Sequence, residues 1–300
     1  MKKLVVILFV MTASVLGCRH PDPLQLTPTA PDSTDQIQIV SLATSDTASL
    51  GDSMTVSTGD PEDNVHFGAT VSVQRTINDY ITFTTVRRID TLDFASVIFL
   101  DWSRPVRDIG GHIYGYYGVP LASASLGVAG LLVRPHIVHL PLAGDTVVGV
   151  EYWRWLGGLY RAGLGFRWGF SVGGTDSTSA SIQTPNDLVV HYPVGGATIN
   201  RATSTTLIWT GSGDLSIIIS EYFPLRKTAK PLLYIKPSIN AGRLTLAPRV
   251  LQILPEDHRQ YVFTFILSNR TEISAVSGYS AKVLVQAAVV YNSFVQLSEE

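Results

Sequence analysis

Cysteine is almost missing from this 300-residue chain, with Cys18 its only example. That excludes an internal disulfide framework, a paired C-x-x-C redox site and a thiolate zinc cluster. Charge is scarce as well: 15% of the residues, divided into 22 basic and 24 acidic for a formal net charge of −2. Such a balance provides no positive field to hold a phosphate backbone, so nucleic acid is not an expected partner. No apolar run approaches the roughly 20 residues that a membrane-spanning helix requires. Beyond the N-terminus the longest small and apolar run, Leu126 to Val133, fits a buried strand. The sequence carries no nucleophile elbow, phosphate-binding loop or H-E-x-x-H pair. Gly163 to Gly169 comes nearest to a dinucleotide fingerprint, but its spacing is wrong, and glycines in a β pattern mark kinks or close packing.

What the chain does have begins at its first residue. Lys2 and Lys3 are followed by the apolar stretch Leu4 to Val10, and small or apolar residues then lead through Ala13, Ser14, Val15, Leu16 and Gly17 to Cys18. A charged start, a short apolar middle and a small-residue end are the parts of a secretory signal peptide. Val15-Leu16-Gly17-Cys18 resembles the lipobox of bacterial lipoproteins, and the sole cysteine stands where that motif places the acylated one. The resemblance implies cleavage before Cys18, lipidation of its thiol, including palmitate-like acyl chains, and membrane attachment without a transmembrane helix. Arg19 follows where an aspartate would imply retention in the inner membrane, so the implied address is the outer membrane of the bacterial envelope.

Residues 18–36 form the expected tether. Pro21, Pro23, Pro28 and Pro31 are too closely spaced for helix or sheet. Extended like polyproline II at about 3.1 Å per residue, Arg19 to Gln36 would hold the folded body up to roughly 55 Å from the lipid surface.

From Ile37 onward apolar and polar residues alternate between turn signals, and helical periodicity is rare. The expected fold is all-β, with strands at Thr70–Val73, Tyr80–Val86, Ser96–Leu100 and Thr205–Trp209. One short helical turn is expected over Pro248 to Leu254, with proline at its start and Pro255 as its stop. Gly173-Gly174-Thr175-Asp176-Ser177 and Pro185-Asn186-Asp187 interrupt the pattern. They place a boundary between two β-sandwich-like domains in tandem, 37–185 and 186–300, after the signal peptide at 1–17. In the second segment, Tyr192-Pro193-Val194-Gly195-Gly196 leads into the strand that carries Trp209. This order is similar to that of immunoglobulin-like or fibronectin type III-like modules of bacterial surface lipoproteins, in which the tryptophan faces the core.

Candidate chemistry is sparse. His136 and His139 lie three apart on a strand, which points them to opposite faces and away from a shared metal ion; Asp90 and Asp93 fail as a carboxylate pair for the same reason. Asp101 and Asp108 flank Arg104 and Arg107 and read as an ion-paired loop, and Gly59 to Asn64 reads as a solvated acidic turn. No cofactor and no metal are expected. The remaining constellation is aromatic. Trp102, Tyr114, Tyr116, Tyr117, Tyr152, Trp153, Trp155, Tyr160, Phe166 and Trp168 crowd the later part of segment 37–185, with Arg154, Arg161 and Arg167 interleaved. Alternation puts Trp153 and Trp155 on one strand face, expected in the core, and Tyr152 and Arg154 on the other. Tyr114, Tyr116, Tyr117, Tyr152, Arg154 and Tyr160 are therefore the candidate ligand surface, where rings and polar groups could grip a glycan or an extended peptide.

The expected role is that of a non-enzymatic binding or structural module, attached to the membrane by its lipid and facing a glycan or another envelope protein. The alternative is a surface-anchored hydrolase acting on polysaccharide, with two carboxylates brought together by the fold.

Overall fold

The structure is a computed structural model that describes residues 37–41, 68–82, 84–107, 113–128, 131–133, 136–141, 147–173, 177–224, 228–255, 260–274 and 276–298. The signal peptide, Cys18, the tether, Asp108 and the acidic turn at 59–64 lie outside the described residues.

Strands dominate. In the first half they are β1 (Ile37–Ser41), β2 (Ala69–Ile81), β3 (Arg87–Arg107), β4 (Ile113–Gly118), β5 (Leu121–Val128) and β6 (Leu131–Val133). They are followed by β7 (His136–Pro141), β8 (Val147–Trp155), β9 (Gly165–Val172) and β10 (Thr178–Gln183). The second half adds β11 (Val189–Tyr192), β12 (Thr198–Asn200), β13 (Thr205–Thr210), β14 (Asp214–Phe223), β15 (Thr228–Pro237) and β16 (Arg243–Leu246). The single helical turn α1 (Pro248–Leu251), β17 (Gln260–Ile273) and β18 (Val283–Ser298) complete the order. As expected, proline opens α1, and Val250, Leu251 and Leu254 are buried. Two expected strands turn out to be hairpins. Tyr80–Val86 spans the turn from β2 into β3, and Leu126–Val133 folds back so that Leu126 faces Val133 across β5 and β6.

The strands form three sheets. An 11-stranded sheet runs β1-β15-β14-β17-β18-β2-β3-β8-β7, with β12 beside β18 and β4 beside the far end of β3. The others are β10-β9-β5-β6 and β11-β13-β16. This differs from two sandwiches in tandem. β2, β3 and β8 precede the expected boundary at 183–187 and β14, β17 and β18 follow it, yet all share one hydrogen-bonded sheet. The junction is β18 against β2, a parallel pair that matches Val283 with Ala69 and Ser293 with Asp79. Parallel neighbours need a crossover between them, and here most of the chain supplies it.

Both smaller sheets stack on one face of the large one, which gives the molecule its β-sandwich character. Val71, Val73, Val97, Phe99, Ile217, Phe263, Phe265, Val285, Val289 and Tyr291 alternate onto that face and belong to a single core cluster. Phe170 of β9 meets Phe99 edge-on at 5.2 Å, and Trp209 of β13 lies 5.9 Å from Phe265. Trp209 is buried as expected, and its indole N–H donates to Asn240 Oδ1 at 2.7 Å. Asn240 in turn donates to the Gly211 and Gly213 carbonyls, so one amide ties the strand end to the turn that follows it.

Candidate functional site

Strand β8 carries the aromatic sequence Tyr152-Trp153-Arg154-Trp155, and its register decides which side chains are available. Tyr152 pairs with Val97 and Arg154 with Ala95, so both point toward the core face; Trp153 and Trp155 pair with Ser96 and Phe94 and point away. This inverts the expectation. Tyr152 is 6% exposed, and its hydroxyl donates to the Leu121 carbonyl at 2.9 Å while accepting the Leu121 N–H at 2.7 Å. A phenol can satisfy both backbone groups between two sheets, whereas an indole has only a donor. Tyr160 is also corrected: it is buried, with its hydroxyl on the Ala288 carbonyl at 3.1 Å and the Arg75 guanidinium 4.7 Å from its ring centroid. Neither tyrosine has a ring face open to a ligand. Arg154 is half-buried beside Tyr152. Tyr114, Tyr116 and Tyr117 fall on β4, and His136 and His139 on β7, of which only the backbone is described.

On the outward face, Phe94 stacks on Trp153 at 6.3 Å and 24°, and Trp153 lies 6.0 Å from Trp155. Trp155 ends this ladder 42% exposed. It is the large aromatic group that the described surface presents to solvent.

Two buried carboxylates, Asp79 and Asp93, are each paired with an arginine. Asp79 is 0% exposed and receives two hydrogen bonds from Arg87, at 2.7 Å to each carboxylate oxygen. The Gly195 N–H at 2.8 Å and the Tyr291 hydroxyl at 2.9 Å complete its shell. Burial by itself would raise the Asp79 carboxyl, but the bonds from Arg87, Gly195 and Tyr291 outweigh it and hold it below its usual value. Burial, followed by the nearby Asp79, pushes Tyr291 up to about 12. The turn at Gly195 has to be glycine: a Cβ there would lie 2.5 Å from the backbone carbonyl carbon and oxygen of Asp79.

A second cluster centres on Arg75. It grips Asp93 at 2.8 and 3.1 Å, donates to the Tyr160 carbonyl at 2.8 Å and stands 3.8 Å from Asp187. Asp93 and Asp187 thus converge on a cation. Of the carboxylates weighed earlier, Asp90 accepts from the Tyr80 hydroxyl at 2.6 Å while Asp93 is held by Arg75, and Asp101 accepts from Ser103; Asp108 lies outside the described residues. Among the described residues no group of three or more histidine, cysteine, aspartate or glutamate side chains could hold a metal ion.

Neither charged cluster was found by sequence reasoning, although β2 contains the signal. Val71, Val73, Arg75, Ile77 and Asp79 share one parity, so two charges sit in core positions and need partners.

No family model and no curated protein sequence matches the chain. Among solved structures, one described as "Yeast delta-COP-I mu-homology domain" aligns over 77% of this chain and 98% of that one, at 10% identity and a TM-score of 0.27. A likeness at that level carries no argument about function.

Proposed function

We propose that this chain is a lipid-anchored protein of the bacterial envelope, attached to the outer membrane through Cys18 and acting as a non-enzymatic binding or structural module. The observation that carries the reading is the sole cysteine at the end of a charged, apolar, small-residue leader. A proline-rich tether and an all-β body fit the same arrangement. The interior chemistry supports a module: Asp79 and Asp93 are each held by an arginine through two hydrogen bonds, an arrangement that fixes strands.

Metabolic labelling with an alkyne analogue of palmitate, followed by membrane fractionation, tests the anchor. The wild-type chain takes up label and sediments with membranes, and Cys18→Ser does neither. A Cys18→Ser chain that stays with membranes after a high-salt wash overturns the reading.

A further inference from the structure

The hairpin between β2 and β3 is apolar where a water-facing turn is polar. From Tyr80 to Val86 the sequence holds no charged residue and none of the glycine, asparagine or aspartate that hairpin turns favour. Every residue from Thr84 to Thr91 is exposed, so the smaller sheets do not cover this end. Ile81, Val86 and Ile89 are 42%, 55% and 55% exposed, three of the eight large apolar side chains that the described surface presents.

The turn also satisfies its own backbone. The Thr82 N–H donates to the Val86 carbonyl and the Thr85 N–H to the Thr82 carbonyl, each at 2.9 Å. Thr82 Oγ1 donates to the Val86 carbonyl at 3.1 Å and Thr85 Oγ1 to the Thr84 carbonyl at 2.7 Å, so hydroxyls are spent on carbonyls that water could otherwise reach. Thr85 sits at φ 58°, the one positive φ outside glycine among the described residues. A segment that enters a water-poor phase needs such pairing, because nothing there replaces a missing hydrogen bond.

Below the apex the chemistry changes. Tyr80 and Tyr222 each meet Phe294 edge-on, at 6.2 and 4.9 Å, and all three rings are half-buried. Arg87 and Arg88 follow Val86 and are exposed. Aliphatic groups at the tip with tyrosines and arginines beneath them match a lipid interface, where amphipathic rings and snorkelling guanidinium groups sit at the headgroups. Residues 79–90 hold two arginines and two aspartates, so the tip has no net charge and apolar burial supplies its affinity.

We infer that the β2–β3 tip dips into the lipid surface to which Cys18 tethers the body, so that the anchored module takes one orientation on the membrane. The inference rests on the anchor reading and adds a second contact with the same membrane. Register allows the reach. Ile39 of β1 lies level with Ile77 of β2, five strands away, through Ile235, Ile217, Phe265 and Tyr291. Ile37, where the tether ends, is two residues lower, about 20 Å along the strands from Ile81 and about 24 Å across them. The combined span of about 31 Å is inside the roughly 55 Å of an extended tether. Three aliphatic side chains carry fewer carbons than one myristoyl chain, whose membrane binding is itself marginal and reversible. The tip therefore orients a tethered body and does not hold a Cys18→Ser chain through a wash.

The test uses the lipidated full chain in vesicles of phosphatidylethanolamine and phosphatidylglycerol. Cys18 is acylated on its sulfur, so Thr84→Cys supplies the sole reactive thiol for an environment-sensitive fluorophore. Ser212→Cys is the reference, since Ser212 is exposed beside the start of β14, toward the opposite end of the sheet. The label at 84 should emit at shorter wavelength and be quenched by lipids spin-labelled high on the acyl chain, at a depth of about 5–10 Å, while the label at 212 stays in water. The shift should persist in high salt. Adding Val86→Asp and Ile89→Thr should abolish it without releasing the chain from the vesicles, and both positions are exposed, so the urea midpoint should stay within the range of ordinary surface substitutions. Four results overturn the inference: the label at 84 stays in water on anchored chains, the double variant keeps the shift, high salt removes it, or it appears only when envelope proteins are added, which marks a protein partner instead. An anchored chain with its tip in water leaves the anchor reading standing, whereas a chain that takes up no palmitate label removes both.

Discussion

Replacing Asp79 by asparagine removes a charge from the best-satisfied polar site in the molecule while keeping its size. The carboxylate accepts four hydrogen bonds, two from Arg87, one from the Gly195 N–H and one from the Tyr291 hydroxyl. Asparagine retains one oxygen and turns two N–H donors toward groups that are themselves donors. The Arg87 side chain is 42% exposed and can return to water, so its share of the loss is small. The Gly195 N–H and the buried Tyr291 hydroxyl have no such recourse, and stranding one of them costs about 1–3 kcal/mol. With a remnant of the arginine pair, the total is about 2–3 kcal/mol, or roughly 4–12 °C in melting temperature for a body of this size.

The effect also has a sign in pH. Asp79 titrates below its ordinary 3.8 in the folded chain, so its contribution is complete above that value and is lost as pH falls through the lower, folded one. Urea unfolding followed by tryptophan fluorescence, from neutral pH down to about 2, should show wild type and Asp79→Asn converging only in the acid range. A neutral-pH difference below about 0.5 kcal/mol, or a gap that persists unchanged on acidification, would refute this account of the site.

Two further substitutions probe the stacking of the sheets. Trp209→Ala removes a fully packed indole together with its bond to Asn240 and should cost about 3–5 kcal/mol in chemical denaturation; a loss typical of surface sites would place Trp209 outside the core. Tyr152→Phe leaves both the N–H and the carbonyl of Leu121 without their phenol and should cost about 1–3 kcal/mol with little change in the denaturant slope. An unchanged midpoint would show that water replaces the hydroxyl.

The strands were legible in the sequence because alternation survives in any half-buried sheet. The strands at Ser96–Leu100, Thr205–Trp209 and Thr70–Val73 lie inside β3, β13 and β2 respectively. Alternation sorts residues into two sets without saying which set faces inward. At β8 size and hydrophobicity favoured the indoles for the core, and a pair of backbone groups awaiting a hydroxyl decided for Tyr152. The tandem organisation was misread for a related reason: turn-rich composition marks where the chain bends, and the β18–β2 pairing is a contact between distant segments that no local pattern announces. The row of Gln286, Ser72, Ser96 and Trp153 was invisible for the same cause, since these residues become neighbours only through register. The leader at Lys2 to Cys18, in contrast, is entirely local and needs no fold to be recognised.

The parallel seam between β2 and β18 also sets a timetable. A ribosome releases β2 and β3 early, and they can pair with each other at once, but the other edge of β2 gains its native neighbour only when β18 has emerged. Until then Ala69 to Asp79 presents open backbone donors and acceptors, the condition that invites pairing with the wrong strand. Arg75, Asn78 and Asp79 lie on that waiting edge, and three polar or charged side chains along one strand make it a poor template for a stranger. Arg75 and Asp79, which bind Asp93 and Arg87 of β3, and Asn78, which meets Asn292 only when β18 arrives, therefore have an earlier use, keeping the half-made sheet solvated while the rest of the chain arrives.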